Sequence, residues 1–588
     1  MLKMIKKTIL YFKREGLRAT CGRAIYFIKI YFGLGKNKTF NIDRHTQLHQ
    51  QNTQFQKDIT ISIIVPLYNT PIKFLHEMIA SVLVQTYAKW ELCLADGSDD
   101  KHGYVEKVCR SYINKDKRIK YKKLLKNGGI SYNTNEAMSL STGEYFAMLD
   151  HDDILHISAL FEVMNKICKT NADLIYSDEA IFHKKPTRCI GLYYKSSFAP
   201  DTLRAQNYMT HFCVYSRDLF NAVGPYDSNF DGSQDYDMIL RLTEKANVIE
   251  HIPLILYYWR AHNNSVAGNI DAKQYAIDAA KNAITAHLKR INIHANVINA
   301  EITGMYRVQY KLINTPKISI IIPNKDTLPY LKKCINSILS VSTYPNYEII
   351  IVENNSKNKE TFDYYKYLSD DKRINIITWN DVFNFSAICN FGVKHAQGEY
   401  CLLLNNDTEV INGNWLEEML MYAQRDDVGA VGAKLFFPDE TIQHAGVILG
   451  IGGFAGHSHK GFPRHSHGHM GRLKIVQNVS AVTGACLMTK VSLYKQLNGL
   501  DEDFVVSIND VDFCLRLRER GLLIVFTPYA ELYHYESKSR GYEDTPEKIN
   551  RFLHEYTLYK NRWEKVLQKG DPYYNPNLTL KREDFTVK

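Results

Sequence analysis

No CxxC pair occurs in the 588 residues, although eleven cysteines are scattered along them. Neither a zinc ribbon nor a disulfide scaffold is suggested, and reduced, cytosolic thiols are the default. Acid is almost missing from the first forty residues, where ten Lys and Arg face the single Glu15. That arm alone carries +9 of the net +10, so the rest of the chain sums to only +1. A near-neutral body argues against a nucleic-acid groove across the folds. The arm also lacks the uncharged run of about 18 residues that a bilayer span needs. It lacks as well the continuous apolar stretch and the small-residue cleavage site of a signal peptide. Its core, "ILYFKREGLRATCGRAIYFIKIYF", mixes apolar and basic side chains at roughly helical spacing. Residues 1–45 therefore read either as a helix lying on an anionic membrane surface or as a solvated helix packed on its own domain.

What is present is a long repeat. The length calls for at least two domains, and 45% hydrophobic content can fill their cores. "ISIIVPLYN" (61–69) and "ISIIIPNKD" (318–326) are β-branched runs stopped by proline. Each is followed by a second run, "WELCLADGSDD" (90–100) and "YEIIIVENNSKN" (347–358). Helical segments such as "KFLHEMIASVLVQ" and "YLKKCINSILS" lie between, which predicts βαβ units with buried parallel strands. In such sheets ligands bind beyond the carboxyl ends of the strands. "SYNTNEAMSLSTGEYFAMLDHDD" (131–153) then matches "SAICNFGVKHAQGEYCLLLNNDT" (386–408), with Ser131/Ser386, Asn135/Asn390, Gly143/Gly398 and Glu144/Glu399 all 255 positions apart. "SQDYDMILRL" (233–242) matches "INDVDFCLRL" (508–517), pairing Asp235 with Asp510 and Arg241 with Arg516. Two spaced acid motifs recurring in order are poorly explained by chance.

Further phrases narrow the reading: "DLIYSDEA" (173–180), "GSQDYD" (232–237), "QNVSAVTGACLM" (477–488), "NDVDFCLRLRERG" (509–521) and "GDPYYNPNL" (570–578). Both halves resemble GT-A domains of glycosyltransferase family 2, inverting enzymes that move a sugar from a nucleotide-diphosphate donor. The whole phrases are typical of two-domain members linked to bacterial surface polysaccharide. The resemblance covers residues 58–300 and 315–575 and is specific for fold and reaction class, not for the sugar. It implies an α/β chain of two tandem GT-A, Rossmann-like domains behind the basic arm.

The chemistry accounts for the acids. A sugar diphosphate brings negative charge that must be neutralised, and Mg²⁺ or Mn²⁺ held by carboxylates does this. Asp152 is the expected direct ligand, Asp150 the contact to donor ribose or metal, and Asp153 an assistant. A helix cap is the plainer use of the same acids. In the second half Asn405 replaces the first Asp and Asp407 remains. By resemblance Asp96, Glu353 and Asn354 face base and ribose, with Pro66 and Pro323 near the base, although turn chemistry also suits such residues. Inversion needs a base for the acceptor hydroxyl, and Asp235 and Asp510 are the candidates. The family's usual acid pair is altered here, since Gln234 and Asn509 precede them. The resemblance further suggests His534 and its counterpart His262 as metal ligands and Arg540 near the diphosphate.

Two tempting signals are discounted. "GHSHKGFPRHSHGHM" (456–470) has five histidines but no Cys or acid and irregular spacing, so a flexible loop over the acceptor site is expected, with His457 or His459 touching sugar. "GIGGFA" (450–455) fits a dinucleotide fingerprint but no acid follows about 20 residues on. The expected function is a bifunctional inverting transferase adding sugars to a lipid-linked bacterial surface glycan, peripheral at the inner face of the cytoplasmic membrane. The alternative is one active domain beside an inactive copy that positions the glycan. A nucleotidyltransferase would need a Gly-rich basic phosphate loop that neither half has.

Overall fold

The computed structural model describes residues 41–261, 274–536 and 545–588. His262, Arg540 and all but the last residues of the basic arm lie outside the described residues. The chain forms two compact units.

In the first unit, β1 (Ile61–Leu67), β2 (Trp90–Asp96), β3 (Ile119–Lys123) and β4 (Tyr145–Met148) form a parallel block in the order β3-β2-β1-β4. Every residue of β1 and β2 is buried, as expected for largely apolar strands covered on both faces. The sheet continues through β5 (Ile154–Leu155), β6 (Leu174–Phe182), β7 (Cys189–Tyr193), β8 (Cys213–Ser216) and β9 (Ile249–Arg260) in the order β4-β8-β6-β9-β5, with β7 on β6. Strand β8 runs antiparallel to both β4 and β6, and so carries the loop before it to the same edge where β4 ends. Helix α1 (Gln234–Lys245) follows β8 and buries Met238, Ile239 and Leu242.

The second unit repeats this order with β10 (Ile318–Asn324), β11 (Tyr347–Glu353), β12 (Ile374–Thr378), β13 (Tyr400–Leu404), β14 (Thr408–Val410), β15 (Val428–Phe436), β16 (Ile442–His444), β17 (Val447–Leu449), β18 (Ala455–His457), β19 (Gln477–Asn478), β20 (Cys486–Lys490) and β21 (Leu523–His534). The path is β12-β11-β10-β13-β20-β15-β21-β14, with β16 on β15, β19 on β21, and β17 and β18 as a separate pair. Helix α2 (Asn509–Glu519) is the counterpart of α1. This unit also takes in the short segment Ala199–Ala205. There the buried Asp201 carboxylate meets Arg425, Arg204 at 3.2 Å and the Asn478 amide at 2.8 Å.

The repeated residues brace the frame. Ser62 bonds Glu91 at 2.7 Å and accepts the Gly143 amide at 3.0 Å; Ser319 bonds Glu348 at 2.6 Å and accepts the Gly398 amide at 2.9 Å. A Cβ on Gly143 would lie 2.4 Å from the Thr60 carbonyl, and one on Gly398 2.6 Å from that of Lys317, so both positions require glycine. Asn135 and Asn390 each use one side-chain amide to pair with both backbone groups of a passing residue, Tyr226 and Leu500 respectively. Arg241 and Arg516 each bond an acid four residues back, Asp237 at 2.8 Å and Asp512 at 2.7 Å, and reach carbonyls after the preceding helix. Asp237 and Asp512 are thus frame residues. All ten cysteines among the described residues are free, and no helix among them is long and apolar enough to cross a membrane.

Candidate active site

In the first unit the acids of "LDHDD" sit where β4 ends. Asp150, Asp153 and His211 present ligand atoms within 4.8 Å of one another. His211 lies just before β8, so the antiparallel β4/β8 pairing brings it there. Its Nε2 is 3.5 Å from Asp150 and its Nδ1 is 3.1 Å from Glu179 on β6, while its ring stacks on Tyr257. Burial opposes a charged imidazole, but the two carboxylates win and hold His211 well above its ordinary value. Burial pushes Asp150 up, and the His211 hydrogen bond and charge outweigh it, leaving the carboxyl below the usual range. Asp153 is buried and accepts from the Tyr257 hydroxyl at 2.6 Å and the Arg260 amide at 2.7 Å. Its burial, with the charges of Asp152 and Asp150, drives it well above the carboxylate range. The Asp152 carbonyl accepts from Arg260 at 2.6 Å, and the Asp152 carboxylate is outside the close group of Asp150, Asp153 and His211.

Asp235 is the second residue of α1 and lines one small cavity with Pro66, Asp150 and His211. Burial, and then the charge of Asp150, push its carboxyl up to about 7. Asp96, at the end of β2, is fully buried and accepts from Tyr121 at 2.8 Å and the Ser98 amide at 2.8 Å, with Lys123 at 3.3 Å.

The second unit keeps the plan and changes the groups. Asp407 and His534 are both buried, with Oδ1 and Nε2 3.3 Å apart, and the Asn405 amide is 3.2 Å from the same nitrogen. Asp510 is the second residue of α2; its oxygens accept from the Gly484 and Val511 amides, each at 2.8 Å. Burial raises its carboxyl, against those amides. The carbonyl of Ala485, the residue after Gly484, accepts the Asn405 backbone N–H at 3.1 Å, so one turn joins the Asn405 corner to the Asp510 corner. Glu353 accepts from Ser356 and Tyr365, and Asn354 bonds the Trp379 and Asp381 carbonyls. Pro323 pairs with Val352 in the β10/β11 ladder, as Pro66 pairs with Ala95.

The sequence profile described as glycosyl transferase family 2 matches both copies of this sheet order, over residues 62–224 and 319–497, which take in the acid corners at Asp150 and Asp407. The chain belongs to glycosyl transferase family 2. Its fold is a pair of GT-A units. It is 40% identical over 98% of its length to the uncharacterized protein y4gI of Sinorhizobium fredii, and 36% identical over 90% to the O-antigen biosynthesis protein RfbC of Myxococcus xanthus. It spans 63% and 41% of those two proteins. Among solved structures, S. aureus TarS in complex with UDP-GlcNAc is 18% identical, with a TM-score of 0.33, covering 39% of this chain and 66% of that one.

The donor sets of this family 2 chain fit a divalent cation. In the first unit three acids crowd one corner, and Asp153 cannot comfortably ionise beside them. In the second, the Asn405 side-chain amide donates toward His534 Nε2, which leaves that nitrogen unprotonated 3.3 Å from the Asp407 carboxylate; among the described residues the buried His534 Nδ1 has no hydrogen-bond partner. Oxygen with one imidazole suits Mn²⁺ or Mg²⁺.

Sequence reasoning missed Glu179 and His211. The signal was available within the repeat, because "THFC" (210–213) stands where the second half has "TGAC" (483–486). Within the histidine-rich stretch, His459 is fully buried and stacks on Phe585 at 4.3 Å.

Proposed function

We propose that both units are inverting transferases that pass sugars from nucleotide-diphosphate donors to a growing bacterial surface glycan. The observation that carries this reading is the repeated placement of Asp235 and Asp510, each second in its helix and each raised by burial. A carboxyl raised by burial is a stronger base than a free aspartate, and Asp235, raised to about 7, is suited to take a proton from an attacking hydroxyl. Asp96 in one unit, and Glu353 with Asn354 in the other, would hold base and ribose, beside Pro66 and Pro323. Asp150, Asp152 and Asp153, or Asn405, Asp407 and His534, would hold the cation. That ion would neutralise the departing diphosphate. His262 and Arg540 remain proposed contacts to metal and diphosphate. The name of the Myxococcus relative favours an O-antigen-like glycan, and the basic arm favours a lipid-linked acceptor at a membrane surface.

The test is a sugar-nucleotide screen with Asp235→Asn and Asp510→Asn. If each unit adds its own sugar, each variant loses one donor's transfer and keeps the other's. If both serve one elongation cycle, either variant stops after a single addition. An Asp235→Asn chain with unchanged products would leave one active unit beside an inactive copy.

A further inference from the structure

The second unit holds two histidines that the chemistry above does not use. His444 ends β16 and is fully buried; His457 ends β18 and is partly exposed. Their Nδ1 atoms are 2.8 Å apart and their rings meet edge-on. A hydrogen bond between two nitrogens contains one proton, and its owner can be read from the far side of His444. There Nε2 faces the amides of Gly446 at 3.3 Å and Thr483 at 3.4 Å. Amides only donate, so Nε2 accepts and the His444 proton sits on Nδ1. His457 Nδ1 therefore accepts, and its own proton is left on Nε2. Burial pushes both imidazoles down, His457 to about 3, so both are neutral at working pH. Among the described residues His457 Nε2 has no partner.

This pair adjoins the proposed base. Thr483, whose amide His444 receives, begins the turn whose Gly484 amide holds Asp510, and the Thr483 hydroxyl also bonds that carboxylate. His457 also lies near His534. A neutral N–H donor suits a hydroxyl better than a diphosphate, whose charge calls for cations. The first unit solves the same corner differently, with His211 in the turn itself and bound to Glu179.

Resting on the reading of the second unit as a transferase, we propose that His457 binds the acceptor sugar. Its Nε2–H donates to a hydroxyl or ring oxygen adjacent to the hydroxyl that Asp510 deprotonates. His444 is a positioning residue that fixes this tautomer.

Two measurements test it. In protein labelled with ¹⁵N-histidine, the His457 ring, identified by its loss in His457→Asn, is expected to carry its proton on Nε2. A ring protonated on Nδ1 overturns the proposal whatever the activity. The second measurement uses the Asp235→Asn chain, so that only the second unit transfers, with the nucleotide-sugar panel, p-nitrophenyl glycosides as acceptors, and water as the competing acceptor. His457→Asn keeps an oxygen where Nδ1 accepts and removes the Nε2 donor. Acceptor KM is expected to rise about 5–10-fold, the effect of one neutral hydrogen bond, with a matching fall in transfer relative to donor hydrolysis. His457→Gln, which returns a donor near Nε2, should recover most of that loss. Unchanged acceptor KM in His457→Asn, or an equal fall of transfer and hydrolysis, overturns the proposal. A parent chain that neither transfers nor hydrolyses any donor refutes the transferase reading instead, and the proton position still decides the tautomer.

Discussion

Replacing Asp235 by Asn should stabilise the first unit while silencing it. The structure raises this carboxyl to about 7, chiefly by burial and then by the Asp150 charge. An aspartate in the unfolded chain titrates near ~4, and the gap corresponds to about 4 kcal/mol against the ionised folded form. The side chain is only partly buried by its neighbours, so screening reduces this to about 2–3 kcal/mol. The sign follows from proton counting. Between pH 4 and 7 the folded state keeps a proton that the unfolded state has lost, so stability falls as pH rises and is flat above 7. Asparagine has no such penalty, and its oxygen can still accept from Gln234, as Asp235 does at 3.2 Å. In chelator, calorimetry at pH 8 should therefore show the first-unit transition about 5–10 °C higher in Asp235→Asn. At pH 4 the two proteins should coincide. First-unit transfer should fall about 10²–10⁴-fold. A variant less stable than the parent at pH 8, or equally shifted at both pH values, would refute a charge penalty at this position.

EDTA should stop transfer by both units and Mn²⁺ or Mg²⁺ should restore it; full activity in chelator would remove the cation from the account. Asp201 is buried, yet the Arg425 and Arg204 charges hold its carboxyl at about 2. Its stabilisation is complete above pH ~4 and lost as pH falls towards 2, so the second unit should weaken by about 2–3 kcal/mol over that range. Asp201→Asn should abolish the fall, and a parallel acid curve would contradict the pairing. Removing residues 1–40 should release the protein from anionic vesicles in a co-sedimentation assay, and undiminished binding would show the arm to be merely structural.

The sheets were legible because β-branched runs ending in proline or acid have few other uses. The repeated Ser, Asn, Gly and Arg positions were legible as a pattern, although their work as braces needed coordinates. The acid corners could be read from spacing, since DxD and its Asn405 variant follow a strand directly. The imidazoles could not. His211 reaches Asp150 across the antiparallel β4/β8 pairing, and His444 reaches the Asp510 turn from a different strand, so no fixed offset links them. That Asp153 is the acid packed against Tyr257 and Arg260 also escaped the sequence, because this packing depends on β9, about a hundred residues on.

The seven residues Ala199–Ala205 have a consequence for how this chain could ever be divided. They are flanked on both sides by first-unit sequence, yet their buried Asp201 is bonded inside the second unit. The polypeptide enters the second unit there, leaves it at Gln206, and returns for good only at Arg307. A gene cut near residue 310 would give one fragment a loose strap and deprive the other of a buried anion beside Arg425.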